Sequence, residues 1–190
     1  MIIFDFDGVI SDSVTWFDDV ARDVSINQRT GEQEVLEWMI SIASTPWLSG
    51  AWHDDRFVEE LNAAFSINVR LEDIRSSCVR SIKIDPRITR LIERLSQIAI
   101  FTDNPLVRAE IIGAHIPHAR VTASQSVGAR KHDDFEAFVK ASGITSGLFI
   151  DDYPPNIIAA QSAGFETLRW QLRKDPYEAL EERIRMWNEH

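Results

Sequence analysis

Short apolar runs of strand length recur at residues 2–6, 98–102, 120–123, 148–151 and 167–170. After the first run the intervals carry helical patterning. Asp85-Pro86 sets an N-capping carboxylate before a proline at the first helical position and predicts a helix through about residue 96. Asn104-Pro105 opens another to about Gly113. Residues 132–141 are closed by Gly143 and residues 155–163 by Gly164, and Asp175-Pro176 starts a last helix through about Asn188. Strands that alternate with helices predict an α/β fold, a doubly wound parallel sheet between two helical layers.

The interval after the first strand breaks this rhythm. It holds no buried strand pattern but four helical ones, at residues 14–24, 32–42, 54–65 and 71–82. The expected organisation is a three-layer, Rossmann-like core from residues 1–14 and 84–190, with a helical cap inserted at 15–83. Insertions at the carboxyl ends of strands usually overhang a ligand site.

Composition narrows the class. The 190 residues suit one domain with a sizeable insertion, and 44% hydrophobic with 26% charged content is that of a soluble globular protein. No apolar run approaches the ~20 residues of a membrane span. Asp5 interrupts the first apolar segment and no basic stretch precedes it, which argues against a secretory signal. The single cysteine, Cys78, excludes an internal disulfide and fits a reducing compartment, so a cytoplasmic location is expected. A formal charge of −10 argues against a nucleic-acid polymer or an anionic membrane as partner. Any anionic substrate then needs local positive charge from a metal, a lysine or helix N-termini.

Candidate chemistry starts at Asp5-Phe6-Asp7-Gly8. Alternation puts Asp5 and Asp7 on one face, at the end of the strand where open parallel sheets bind ligands. Like charges so close need a cation between them or a shared proton. By itself the stretch reads equally as a turn closing an edge strand. Three more strand ends carry polar groups. Thr102-Asp103-Asn104 enters a helix whose N-terminus favours an anion. Arg130-Lys131 follows the third strand, and Asp151-Asp152 with Asn156 follows the fourth. Singly these are an N-cap, a surface charge and a helix-opening cluster. Their joint order on this scaffold points to one site.

Together they resemble the haloacid dehalogenase superfamily, in particular its phosphatase-like members with a small helical cap. Asp5-x-Asp7-Gly8-Val9 matches the first motif, Thr102 the second, Lys131 the third, and Asp151-Asp152-x-x-x-Asn156 the fourth. The resemblance implies a magnesium-dependent phosphatase of a small phosphorylated metabolite, with Asp5 as nucleophile and Asp7 as general acid and base. It implies that Mg2+ is held by the Asp5 carboxylate, the Asp7 backbone carbonyl and Asp152, with Asp151 behind them. Thr102 and Lys131 would bind the phosphoryl oxygens. Gly8, Asp103, Asn104 and Arg130 are expected around the phosphate, with Arg130 able to share the role of Lys131. Asp103 is expected to point away or to cap the following helix.

Asp7 separates branches of the family, because a halide leaves without a proton and a dehalogenase needs no acid there. Phosphonate-cleaving relatives use a cap lysine, and here only Lys83 stands near the cap, at its exit. A phosphomutase, or a binding module that has kept the fold, stays open as an alternative. The turn-rich stretch from Ser44 to His53 is expected either to offer Trp47, Trp52 and His53 to the leaving group or to place its tryptophans in the cap core.

Overall fold

The computed structural model describes residues 1–189. Its centre is a five-stranded, all-parallel sheet of β1 (Ile2–Phe4), β2 (Ile98–Thr102), β3 (Arg120–Ala123), β4 (Leu148–Asp151) and β5 (Glu166–Arg169), in the order β3-β2-β1-β4-β5. The first strand is thus the middle one, with Phe4 in register with Ile100 on one side and Ile150 on the other. Strand order reverses across β1, so the crevice at its carboxyl end is the switch point where such sheets bind ligands.

Alternation distributes the core. Ile2 and Phe4 face α6 (Pro86–Glu93), α7 (Leu106–His115) and α11 (Tyr177–Asn188) through Ile88, Leu91, Ile112 and Leu180. The single turn α8 (Ser124–Val127) follows β3 directly, and Ile3, Phe101 and Phe149 face α9 (Phe135–Ser142) and α10 (Pro154–Ser162) through Phe138 and Ala160. A sheet with both faces covered explains why its central strands read as unbroken apolar runs.

The stretch between β1 and α6 forms α1 (Trp16–Gln28), α2 (Glu32–Trp38), a π-helical turn (Met39–Ala43), α3 (Ser44–Leu48), α4 (Asp54–Phe65) and α5 (Leu71–Ser81). Its own cluster, with Val20, Met39, Trp47, Phe57, Leu61 and Ile74, continues into the core helix α7 through Val107 and Ile111. The two crossings into this insert run side by side. Ser11 pairs with Ile84 in an antiparallel bridge, and Asp12 N donates to Lys83 O at 3.0 Å.

Several boundaries differ from expectation. β1 stops two residues early because the chain turns, with the amides of Ile10 and Ser11 both donating to Phe6 O at 2.9 Å. β5 begins and ends one residue before the expected span. The stretch around Pro46 is helical rather than a turn, because the π-helical turn before it keeps αR geometry into Ser44.

Candidate active site

A cavity of about 450 Å³ opens at the carboxyl ends of β1 and β2. The core lines it with Asp5, Asp7, Thr102, Asp103, Asn104, Arg130 and Lys131, and with Tyr153 and Asn156. The expected core residues therefore converge.

Asp5 follows β1 directly, its amide donating to Ile150 O at 2.8 Å. Lys131 lies fully buried beneath it. Its Nζ donates to Asp5 Oδ1 at 2.6 Å, to Asp151 Oδ2 at 2.8 Å and to Phe101 O at 3.2 Å. Burial alone would lower the Lys131 pKa, but Asp151, Asp5 and Asp103 outweigh it and raise it above its ordinary value. One ammonium shared by two carboxylates neutralises only one of them. Burial accordingly raises Asp5 well above the usual carboxylate range against the pull of Lys131, with Asp151 and Asp7 adding to the rise.

Asp151 is buried and fully committed, since its other oxygen accepts from Tyr153 N at 2.8 Å and Oδ2 also accepts from Asn156 Nδ2 at 2.9 Å. Asp152 is raised by burial and then by the charge of Asp151. Oxygens of Asp5, Asp151 and Asp152 lie within 4.8 Å of one another. Gly8 makes room for this group: at φ +90°, a Cβ there would stand 2.7 Å from Asp152 Oδ2.

Asp7 is held differently. Oδ1 accepts from Ser13 Oγ at 2.5 Å and from Arg108 at 2.6 Å, and Oδ2 accepts from Asn104 Nδ2 at 2.7 Å. Asn104 also donates to Thr102 Oγ1 at 2.6 Å. Asp7 contributes no carboxylate oxygen to the Asp5–Asp151–Asp152 group.

These residues fit a divalent cation. Asp5, Asp7, Asp151 and Asp152 are four carboxylates against two buried cations, Lys131 and Arg108, which leaves two negative charges among hard oxygen donors.

Other expectations need correcting. Asp103 neither points away nor caps α7. Its Oδ1 accepts from the Lys131 amide at 2.9 Å and fixes the loop that carries Lys131. Arg130 is placed where it was expected, lining the cavity beside Lys131, with its Nε 3.8 Å from Asp103 Oδ2. The N-terminus of α7 is already taken by an anion from the insert, because Val107 N donates to Asp54 Oδ2 at 2.8 Å.

Trp47, Trp52 and His53 do not line the cavity. Trp47 is fully buried, stacked on Phe57 at 3.6 Å, and donates from Nε1 to Asp54 Oδ1 at 2.8 Å. Trp52 packs on Trp38 at 6.4 Å, and His53 is exposed at the start of α4. The insert instead presents Val14, Trp16, Phe17, Asp18, Ile40, Ser44 and Leu48. Ile40 reaches the cavity from the π-helical turn, a one-turn irregularity often found at functional sites.

The residue that sequence reasoning missed is Arg108. It sits between Val107 and Ala109 on α7, where a single cation on an amphipathic helix reads as solvated. No local signal marks it as buried. Cys78, the other reactive side chain nearby, has its thiol pushed up to about 11 by burial and is no nucleophile at neutral pH.

No family model matches the sequence, and no curated protein does. Solved structures do. A predicted HAD-like family hydrolase from Porphyromonas gingivalis is 19% identical, with 97% of each chain covered and a TM-score of 0.73. A HAD family enzyme from Bacteroides thetaiotaomicron, in complex with magnesium and inorganic phosphate, is 14% identical over 94% of this chain and 97% of that one, at a TM-score of 0.71. L-2-haloacid dehalogenase from Xanthobacter autotrophicus is 15% identical, covering 96% and 81%, at 0.58. The chain thus has the haloacid dehalogenase fold. Phosphate-binding and dehalogenating proteins share that fold, so the chemistry has to be argued from the site.

Proposed function

We propose that this protein is a magnesium-dependent phosphatase of the haloacid dehalogenase superfamily, acting on a small phosphorylated metabolite. The observation that carries this reading is the pairing of two aspartates in different settings over one cavity, Asp5 on Lys131 and Asp7 among three donors. Asp5 attacks phosphorus and forms an aspartyl phosphate, while the alkoxide leaves with a proton from Asp7. Asp7 then takes a proton from water, which attacks the same phosphorus and frees Asp5 and inorganic phosphate. Thr102 and Lys131 stabilise the phosphoryl oxygens.

Mg2+ would be held by the carboxylates of Asp5 and Asp152 and the Asp7 carbonyl, with Asp151 positioning Lys131 from behind, and would neutralise charge on the phosphoryl group. We assign residues 15–83 the role of a cap that shuts the reaction away from bulk water. Its wall of Trp16, Phe17, Ile40 and Leu48 carries Asp18 and Ser44 but no lysine or arginine. That supports a compact leaving group without a second phosphate.

The test is a panel of phosphate esters, with magnesium and with chelator. Magnesium-dependent phosphate release, strongest for singly phosphorylated compact esters, is expected. Failure to release phosphate from every ester, p-nitrophenyl phosphate included, overturns the reading.

A further inference from the structure

Arg108 is fully buried and is anchored in three places, once to Asp7 and twice to the insert. One guanidinium nitrogen donates to Asp7 Oδ1 at 2.6 Å. The other donates to Ser81 Oγ at 2.6 Å, near the carbonyl of Cys78 at 3.5 Å, both on α5. The flat face lies 4.8 Å from the Trp16 ring centroid on α1. The core supplies Arg108 itself, on α7, and the first and last helices of the insert supply two of its three anchors.

Such a buried pair is weak evidence for stability, because desolvating two charges costs about as much as their attraction returns. A fork-shaped, always-charged group with both arms and its face engaged is suited to holding one geometry. Asp7 has a further reason to need holding. It lies beyond the end of β1, next to the turn at Gly8, where its backbone is bridged to Ser11 of the same loop and not to a neighbouring strand of the sheet. We propose that Arg108 is the positioning residue for Asp7: it fixes the carboxylate toward the leaving-group side of the cavity and makes that placement depend on the seating of α1 and α5. The inference rests on the phosphatase reading above. Arg108 exchanges no proton and touches no substrate. It acts through Asp7, so the proton inventory of the reaction is unchanged.

The experiment compares benzyl phosphate, whose alkoxide must be protonated, with p-nitrophenyl phosphate, whose anion leaves unaided. Arg108→Met should lower kcat on benzyl phosphate by about 10- to 100-fold, part of a general acid's usual contribution, with KM little changed. With p-nitrophenyl phosphate it should give a burst of nitrophenolate followed by slow turnover, since the aspartyl phosphate still forms but its hydrolysis lacks an aligned base. In an Asp7→Asn background, Arg108→Met should produce no further loss on benzyl phosphate, whereas independent structural damage would multiply. Arg108→Lys keeps the buried charge if the methionine variant does not fold. One ammonium cannot reproduce two rigid arms that reach Asp7 and Ser81 together, so it should show the same burst.

Arg108 variants that lose both esters equally, with losses multiplying in the Asp7→Asn background, overturn the positioning role while leaving the phosphatase reading intact. A wild-type protein inactive on both esters overturns the phosphatase reading, and the positioning role falls with it.

Discussion

Asp5 and Asp7 are one residue apart in the chain, yet their surroundings differ in kind. Asp5 shares its only cation with Asp151 and is held up by burial. Asp7 receives hydroxyl, amide and guanidinium donors, and each of these donor groups also reaches a second neighbour. The first carboxylate is electron-rich, with little solvation to shed before attacking an electrophile. The second is directed, with its oxygens assigned to fixed neighbours. On the proposed reading two copies of one side chain serve different steps, and the sheet accounts for the difference in their surroundings. Asp5 still belongs to the β1 register, whereas Asp7 belongs to the turn and takes its orientation from α7 and the insert.

The widest gap between the two should come from amides. Asp5→Asn should abolish turnover on every phosphate ester, measured as phosphate release, because no nucleophile remains. Wild-type rates from this variant would sink the assignment. Asp7→Asn should lose roughly 100- to 10,000-fold on alkyl esters, the usual size of a general-acid contribution. With p-nitrophenyl phosphate it should show an initial burst and a slow phase, which stopped-flow absorbance reads directly. Loss of the burst in both variants alike would erase the distinction between them.

A buried residue away from both carboxylates separates stability from chemistry. Trp47→Ala should cost about 3–5 kcal/mol by chemical denaturation, through the stacked contact with Phe57 and the lost bond to Asp54. Its relative rates across esters should stay unchanged, and a reordered substrate preference would return Trp47 to the cavity wall.

The smallest effect concerns protons. In the metal-free protein Asp5 and Asp152 have raised pKa values, each chiefly through burial. The folded state therefore binds protons more tightly than the unfolded chain. Their penalty is absent below the unfolded carboxylate pKa of about 3.9 and grows as pH rises through the folded values. Asp73 and Asp85, lowered first by the side chains of Arg70 and Arg87, contribute stability present above the unfolded value and lost as pH falls through their folded ones. Melting curves in chelator should thus lose a few degrees from pH 4 upward through the weakly acidic range, and magnesium should remove that loss. Identical curves with and without magnesium would count against the cation site.

Much of the scaffold was legible because buried parallel strands and capped helices write themselves into adjacent residues. Strands β2, β3 and β4 and helix α4 fall where hydrophobic patterning puts them. Asp85 caps α6 through the Arg87 amide as Asp-Pro predicts. Asp5, Asp7 and Thr102 were legible too, since they stand at or just past strand ends, and Lys131 was legible by its place in the order although a helical turn separates it from β3. What escaped depends on contacts between distant segments. Trp47 and Trp52 sit in a stretch rich in turn formers, and only the packing of α3 against α4 decides that they point inward. Asp103 was expected to point away or to cap a helix, but the loop beyond the neighbouring strand β3 claims its carboxylate. Arg108 drew no notice in the sequence, and it is the insert, through Ser81 and Trp16, that engages it on α7. Periodicity reports which face of an element is apolar. It is silent on which polar group another element will cover.

The central place of β1 has a consequence for how the molecule is made. Ile2 pairs with Ile98 and with Leu148, so the middle strand has no local partner and must wait for both halves of the distant chain. Closing such long loops is entropically costly, and sheets dominated by remote pairings fold slowly. Helices α1 to α5 have neighbours nearby in sequence and are free to assemble first. The strand bearing Asp5 would then slot in late, and catalytic competence would arrive with the final cooperative step of folding. Pulse-labelling hydrogen exchange should find the amides of Ile3 and Phe4 protected after those of α4, and earlier protection of β1 would reverse that order.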